Sequence, residues 1–259
     1  MKLEDSMFLD FKFFTWLKYT VFLLIFSLLL IVQASGKLSL EDNIGIWHLD
    51  EGKGNVAKDT SSNKHEGEIK GAKWVKGKFG QALEFKKGDT VIIPLGKGAV
   101  RDKMSVIMWI QFTDVSAQQN YFSVWDQSKN RLVPYKDPGN MLRCWSNEWN
   151  VASGVSAKKG QWYHIANVYD GKKAKIYIDG KEKASQDVPK FEMNDEDQTA
   201  WLATDQGGWH SACIIDEFIF FSRAVTADEV SEIFSKGIDV GTKVDRVSKL
   251  PTIWADLKK

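Results

Sequence analysis

From Ile44 onward the chain alternates short apolar runs with glycine and aspartate. Val91-Ile92-Ile93 is one such run, and Met104 to Phe112, MSVIMWIQF, is a longer one. Tyr163 to Tyr169 and Lys173 to Ile178 flank Asp170-Gly171 and predict a hairpin. In its second arm Ala174, Ile176 and Ile178 alternate with Lys173, Lys175 and Tyr177, the period of a strand with one buried face. Asp179-Gly180 supplies the next turn signal. Cys213 to Phe221, CIIDEFIFF, closes the series and carries the acidic pair Asp216-Glu217.

One later segment predicts a helix. Thr226-Ala227-Asp228-Glu229 fits a capping box, in which the threonine hydroxyl and the glutamate satisfy free N-terminal amides. Val230, Ile233 and Phe234 then share one face, and Gly237 is a stop. Many short strands with one late helix predict an all-β sandwich over residues 44–237, followed by a tail, 238–259, too short to be a domain. The lack of a 20–50-residue period argues against a solenoid or propeller. Five lysines between Lys172 and Lys183 alternate with acidic groups, which predicts a solvated hairpin rather than a polyanion patch.

The N-terminus has a different pattern. Tyr19 to Val32, YTVFLLIFSLLLIV, is uncharged, comes after Lys12 and Lys18, and ends in Val32-Gln33-Ala34. That is the layout of a secretory signal peptide over residues 1–34. Uncleaved, and extended back to Phe13, it has the length of a membrane anchor. Either way the rest of the chain is expected to be secreted, extracellular or at the cell envelope. Outside the reducing cytosol Cys144 and Cys213 could pair or stand as separate buried thiols.

Charge narrows the partners. Lysine plus arginine total 35 against 34 acidic residues, a net charge of +1, which argues against a dedicated nucleic-acid binder. The first 34 residues hold three charges of each sign, so the balance belongs to the rest of the chain. Two cysteines rule out a disulfide-rich scaffold and a four-thiolate zinc site. Tryptophan, at 11, is high for 259 residues, and only Trp16 lies in the leader.

Four stretches, in order, resemble the LamG-like (laminin G, concanavalin A-like) jelly-roll domains of bacterial extracellular proteins. They are GIWHLDEG from Gly45 with DTSSN from Asp59; WVKGKFGQALEF from Trp74; GQWYHIA from Gly160 through Tyr169-Asp170-Gly171 to YIDGK from Tyr177; and IDEF from Ile215 leading into RAVTADEV from Arg223. The resemblance implies a concanavalin A-like jelly roll of two antiparallel sheets. It also implies that residues 116–156, outside these motifs, help form the ligand-bearing sheet and its rim. In related jelly rolls a structural calcium sits between an N-terminal loop and an acidic residue of the last strand. Asp50, Asp59, Asn63 and Asp216 are the matching candidates. The same aspartate, serine and asparagine residues also suit ordinary turn capping.

Such folds include glycoside hydrolases, whose chemistry needs paired carboxylates. The E-x-D-x-x-E string of one related group does not occur, and EMNDED from Glu192 lacks its spacing. On a regular strand the adjacent Asp216 and Glu217 point to opposite faces. There is no G-x-S-x-G elbow, and His48, His65, His164 and His210 lack zinc-site spacing. The expectation is a non-catalytic module. If MLRCWSNEWNV from Met141 is one strand, Arg143, Trp145, Asn147 and Trp149 share a face. Indole faces with amide and guanidinium groups suit a sugar, and Trp125 and Trp209 could extend the site from neighbouring loops; core packing is the equal alternative for Trp145 and Trp149. The expected partner is a glycan or an extracellular protein. Membrane contact would come only through the N-terminal segment. A structural or adhesion module with a protein partner, and a divergent glycosidase, are the rival readings.

Overall fold

The computed structural model describes residues 38–206 and 208–238. The segment expected to be a signal peptide or membrane anchor (1–34) and nearly all of the tail (239–259) lie outside the described residues.

The strands run β1 Asn43–Trp47, β2 Val56–Ala57, β3 Gly67–Lys70, β4 Lys73–Lys76, β5 Gln81–Phe85 and β6 Thr90–Lys97. Then come β7 Met104–Phe112, β8 Gln119–Asn120, β9 Phe122–Asp126, β10 Arg131–Lys136, β11 Met141–Ser146 and β12 Asn150–Ser156. They end with β13 Trp162–Tyr169, β14 Lys173–Ile178, β15 Lys181–Asp187, β16 Asp197–Leu202 and β17 Cys213–Phe221, before helix α1 at Ala227–Lys236. One antiparallel sheet has the order β15-β14-β13-β7-β17-β5-β4, with β1 also on β17. The second has the order β12-β11-β10-β9-β16-β6-β3-β2, with β8 on β10.

Alternation decides what each sheet buries. Val106, Met108, Ile110 and Phe112 of β7 enter the core between the sheets, with Phe122 and Val124 of β9 opposite. Phe122 spans the gap to Phe218 and Phe220 at 5.5 and 5.2 Å, and Trp47 stacks on Phe218 at 4.9 Å. Burying each such ring contributes roughly 1.5–3 kcal/mol. The intervening residues of the first sheet, Ile107, Ala166, Tyr177 and Ile219, pack under Val230 and Ile233 of α1. The helix therefore covers the central strands of that sheet's outer face.

β7 and β17 coincide with the two strongest apolar runs, β13 and β14 form the hairpin, and both bonds of the capping box at Thr226 and Glu229 are present. One expectation fails within β17. Its register shifts between Asp216 and Ile219, and Glu217 takes a left-handed φ of 52°. This bulge puts Phe218, not Glu217, in the core, so simple alternation does not send the two carboxyls to opposite faces.

Candidate functional site

On the second sheet the residues that leave the core alternate along β10 as Arg131, Val133 and Tyr135. In register, Val133 lies beside Trp145 of β11, and Trp145 beside Asn150 of β12. The Asn150 amide donates to the Tyr135 hydroxyl at 2.9 Å. The Arg131 guanidinium lies between two indoles, 4.3 Å from the Trp125 centroid and 4.8 Å from that of Trp145. Such cation–π contacts are worth about 0.5–2 kcal/mol and hold all three groups in place.

Two loops complete a cleft of about 280 Å³ over this row. Gln118 and Asn120 enter from β8 and the residue before it, and Asp205 and Trp209 from the β16–β17 connection. That connection is held in shape by short bonds. The Gly208 amide donates to the Asp205 carbonyl at 2.9 Å, and the Thr204 hydroxyl donates to the Gly208 carbonyl at 2.8 Å. Ala203, Gln206 and Trp209 have left-handed φ values of 64°, 40° and 45°. Each such non-glycine residue costs on the order of 1 kcal/mol or more, and such strain gathers at functional loops. The result is an indole 58% exposed at the cleft lip, the one large exposed hydrophobic among the described residues.

The polar groups of the cleft are incompletely paired. Burial raises the Asp205 carboxyl above its ordinary range, against the hydrogen bond from Asn120 and the charge of Arg131. Asn120 is 3% exposed, and its Oδ1 has no partner; Nε of Arg131 is also buried and unpartnered. Unpaired buried polar atoms are costly, and these two belong to side chains that line the cleft.

The sequence candidates divide. Trp145 and Trp209 line the cleft, while Trp125 braces Arg131 and meets Trp201 edge-on at 6.4 Å. Arg143 shares the outward face of β11 with Trp145, but its Nε donates to Asp137 Oδ2 at 2.7 Å. Asn147 and Trp149 do not share that face, because the segment is two strands joined by a turn. The Ser146 amide donates to the Trp149 carbonyl at 2.8 Å. Asn147 instead ties the turn to β10, accepting from the Arg131 amide at 3.0 Å. Trp149 is buried in the core against Tyr169 and Phe191, at 5.5 and 6.5 Å. Sequence reading missed Asn120, Arg131, Tyr135, Asn150 and Asp205. The period-two pattern of RLVPY was a signal for Arg131 and Tyr135.

The four calcium candidates do not assemble as one site. No group of three or more His, Cys, Asp or Glu side chains able to hold a metal occurs among the described residues. Asp59 accepts from the amides of Ile46, Ser61 and His65 and from the Ser61 hydroxyl. The Asn63 amide donates to the Asn43 and Ile44 carbonyls. Both are doing turn chemistry. Asp50 and Asp216 instead converge on the turn between β4 and β5. Asp50 Oδ1 accepts from the Gln81 amide at 2.9 Å, and Asp216 Oδ2 from the Phe79 amide at 2.8 Å. A Cβ on Gly80 would lie 2.3 Å from the Asp50 oxygen, and one on Gly77 2.6 Å from that of Asp216, so both glycines permit the approach. Burial, with Glu217 and Asp50 nearby, pushes Asp216 up to about 8, and its Oδ1 has no partner. An orphaned carboxylate oxygen beside a second carboxylate fits a hard cation at Asp50 and Asp216, not at Asp59 or Asn63.

Cys144 and Cys213 are buried and unpaired, and burial raises both thiols. Among the described residues no helix is long and apolar enough to cross a membrane.

Two face-to-face antiparallel sheets with a rimmed cleft on one outer face define a concanavalin A-like jelly roll. The chain belongs to the Concanavalin A-like lectin/glucanases superfamily, whose family model matches residues 85–231. No curated protein matched. Among solved structures, domain 4 of AbnA, a GH43 extracellular arabinanase from Geobacillus stearothermophilus in complex with arabinotriose, is similar at a TM-score of 0.64 and 18% identity, over 74% of this chain and 98% of that one. The binding domain of Paraclostridial Mosquitocidal Protein 1 is similar at 0.60 and 15%, over 75% of this chain and 52% of that one. Trypanosoma rangeli sialidase is similar at 0.62 and 12%, over 79% of this chain but only 34% of the enzyme. At these identities the likeness is one of fold.

Proposed function

We propose that this chain is a non-catalytic carbohydrate-binding module and that its site is the cleft between Trp145 and Trp209. The observation that carries this reading is the strained loop that holds Trp209 58% exposed beside the Trp145–Arg131 stack. Indole faces pack on the C–H surface of a sugar, while Asp205, Asn120 and Asn150 meet its hydroxyls. The arabinotriose complex of the AbnA domain supports a glycan over a protein partner. Glycoside hydrolysis needs two carboxyl groups flanking the bond, and the described lining brings one, Asp205. The N-terminal apolar segment is consistent with export or anchoring of this module. A calcium ion held by Asp50 and Asp216 would tie the β4–β5 turn to β17 without touching the cleft ligand. Glycan-array binding that disappears in Trp145→Ala and Trp209→Ala, with folding intact, tests the proposal. Retained binding in both variants, or polysaccharide turnover, overturns it.

A further inference from the structure

Resting on that reading, we infer that the cleft selects neutral oligosaccharides through their free hydroxyl groups and discriminates against acidic ones. The cleft sets a carboxylate, Asp205, beside one buried amide oxygen, Asn120 Oδ1, that lacks a donor. Asp205 and Asn120 stand together where the β16–β17 connection meets β8, with the amide of Asn120 turned to the carboxylate. That arrangement leaves the Asn120 Oδ1 buried and unpartnered. A sugar hydroxyl donates one hydrogen bond and accepts others, so it can donate to the half-exposed Asp205 carboxylate. An ionised uronate, sialate or sulfate has only acceptors to offer there and would set a second negative charge beside Asp205.

The positive charges nearby do not reverse this preference. Arg131 is held within 4.3 Å of the Trp125 centroid and 4.8 Å of that of Trp145, and its charge already acts on Asp205. Arg143, on the same outward face, is paired with Asp137 at 2.7 Å. The cleft's own charges, Arg131 and Asp205, therefore sum to zero, with the carboxylate beside the orphaned acceptor. Asn150 and Tyr135, each able to donate and accept, continue a hydroxyl-matched row along the sheet.

The test uses the full chain, kept in a non-glycosidic detergent, and isothermal titration calorimetry. Neutral trisaccharides (arabinotriose, xylotriose, cellotriose, mannotriose, maltotriose) are compared with trigalacturonate and sialyllactose. The expected result is that a neutral trisaccharide binds at least about tenfold more tightly than either acidic one. Its affinity should be insensitive to salt, because no phosphate-like or carboxylate charge is being neutralised. The near-isosteric Asp205→Asn should weaken it by about tenfold or more, because an amide is a poorer acceptor than a carboxylate. Tighter binding of an acidic sugar, improved further by Asp205→Asn, overturns the inference while leaving the cleft reading intact. Binding of no sugar, or binding unchanged in Trp145→Ala and Trp209→Ala, overturns the cleft reading itself. If Asp205→Asn unfolds, the wild-type ranking and its salt dependence still decide the matter.

Discussion

The main-chain amide of Asn120 donates to the carbonyl of Trp209 at 2.7 Å. This bond ties β8, with its unpartnered Asn120 Oδ1, to the exposed Trp209 at the lip of the cleft. Trp209 pays a backbone penalty at φ 45° and recovers little of it by packing. Trp209→Ala should therefore cost glycan affinity about tenfold or more and change stability by no more than about 0.5 kcal/mol. Titration with the best-binding trisaccharide, alongside a urea melt of the same sample, measures both. Equal loss of stability and affinity would make Trp209 structural.

Arg131 braces the opposite wall. Arg131→Lys keeps the charge but loses the flat guanidinium that lies over both Trp125 and Trp145. The expected outcome is a red-shifted tryptophan emission, from indoles newly exposed to water, and a loss of binding of about 1–2 kcal/mol. Unchanged emission would mean that the stack is not maintained in solution.

Lys136 is fully buried, and its Nζ donates to the carbonyls of Val115 and Asp137, both at 3.2 Å, to that of Ala117, and to Asn140 Oδ1 at 3.0 Å. The ammonium thus serves as an internal cation for the loop that leads to Gln118 and Asn120. Burial lowers its pKa, with Asp114 and Asp137 opposing that shift. Lys136→Met would strand four acceptor oxygens. It should destabilise by about 3–5 kcal/mol in equilibrium urea unfolding. A smaller loss, within about 1 kcal/mol, would show that water replaces the ammonium.

How much of this was legible depended on how local the signal was. β7, β17, the β13–β14 hairpin and the Thr226 cap are each written in a few consecutive residues, so periodicity and turn chemistry located them. The shared face of Arg143 and Trp145 was legible for the same reason. Trp149 was misread because Ser146-Asn147-Glu148 contains neither glycine nor proline, although it turns the chain. Asn120 with Asp205, and Arg131 with two indoles from different strands, are products of sheet order. No spacing along the chain encodes them.

Glu229 gives the helix a pH signature. Burial alone would raise its carboxyl, but Arg223, donating to both oxygens at 2.6 and 2.9 Å, the Thr226 amide and the Ser39 amide pull it down to about 2. The folded pKa lies below the ordinary 4.5, so the native state binds fewer protons than the unfolded chain between these values. The contribution is complete above about pH 5 and fades as pH falls toward 2. Glu229→Gln should lower the melting temperature at pH 7 and narrow that gap at pH 3. A gap independent of pH would remove the ionic part of the explanation.

Asp216 has the opposite sign, which makes it a test for calcium. With no ion its folded pKa is pushed up to about 8 from 3.8, so the native state keeps a proton that the unfolded chain has lost. Stability should then fall as pH rises from about 4 to about 8, and level off above that. A cation between Asp50 and Asp216 would favour the ionised carboxylate and cancel the decline. Millimolar calcium is therefore expected to raise the melting temperature more at pH 8 than at pH 5, and a chelator to reverse it. Asp216→Asn should abolish the response and, in the absence of calcium, stabilise the fold at pH 8, because the amide carries no buried charge. A melting temperature indifferent to calcium at both pH values would leave Asp50 and Asp216 as anchors of the β4–β5 turn through the Gln81 and Phe79 amides.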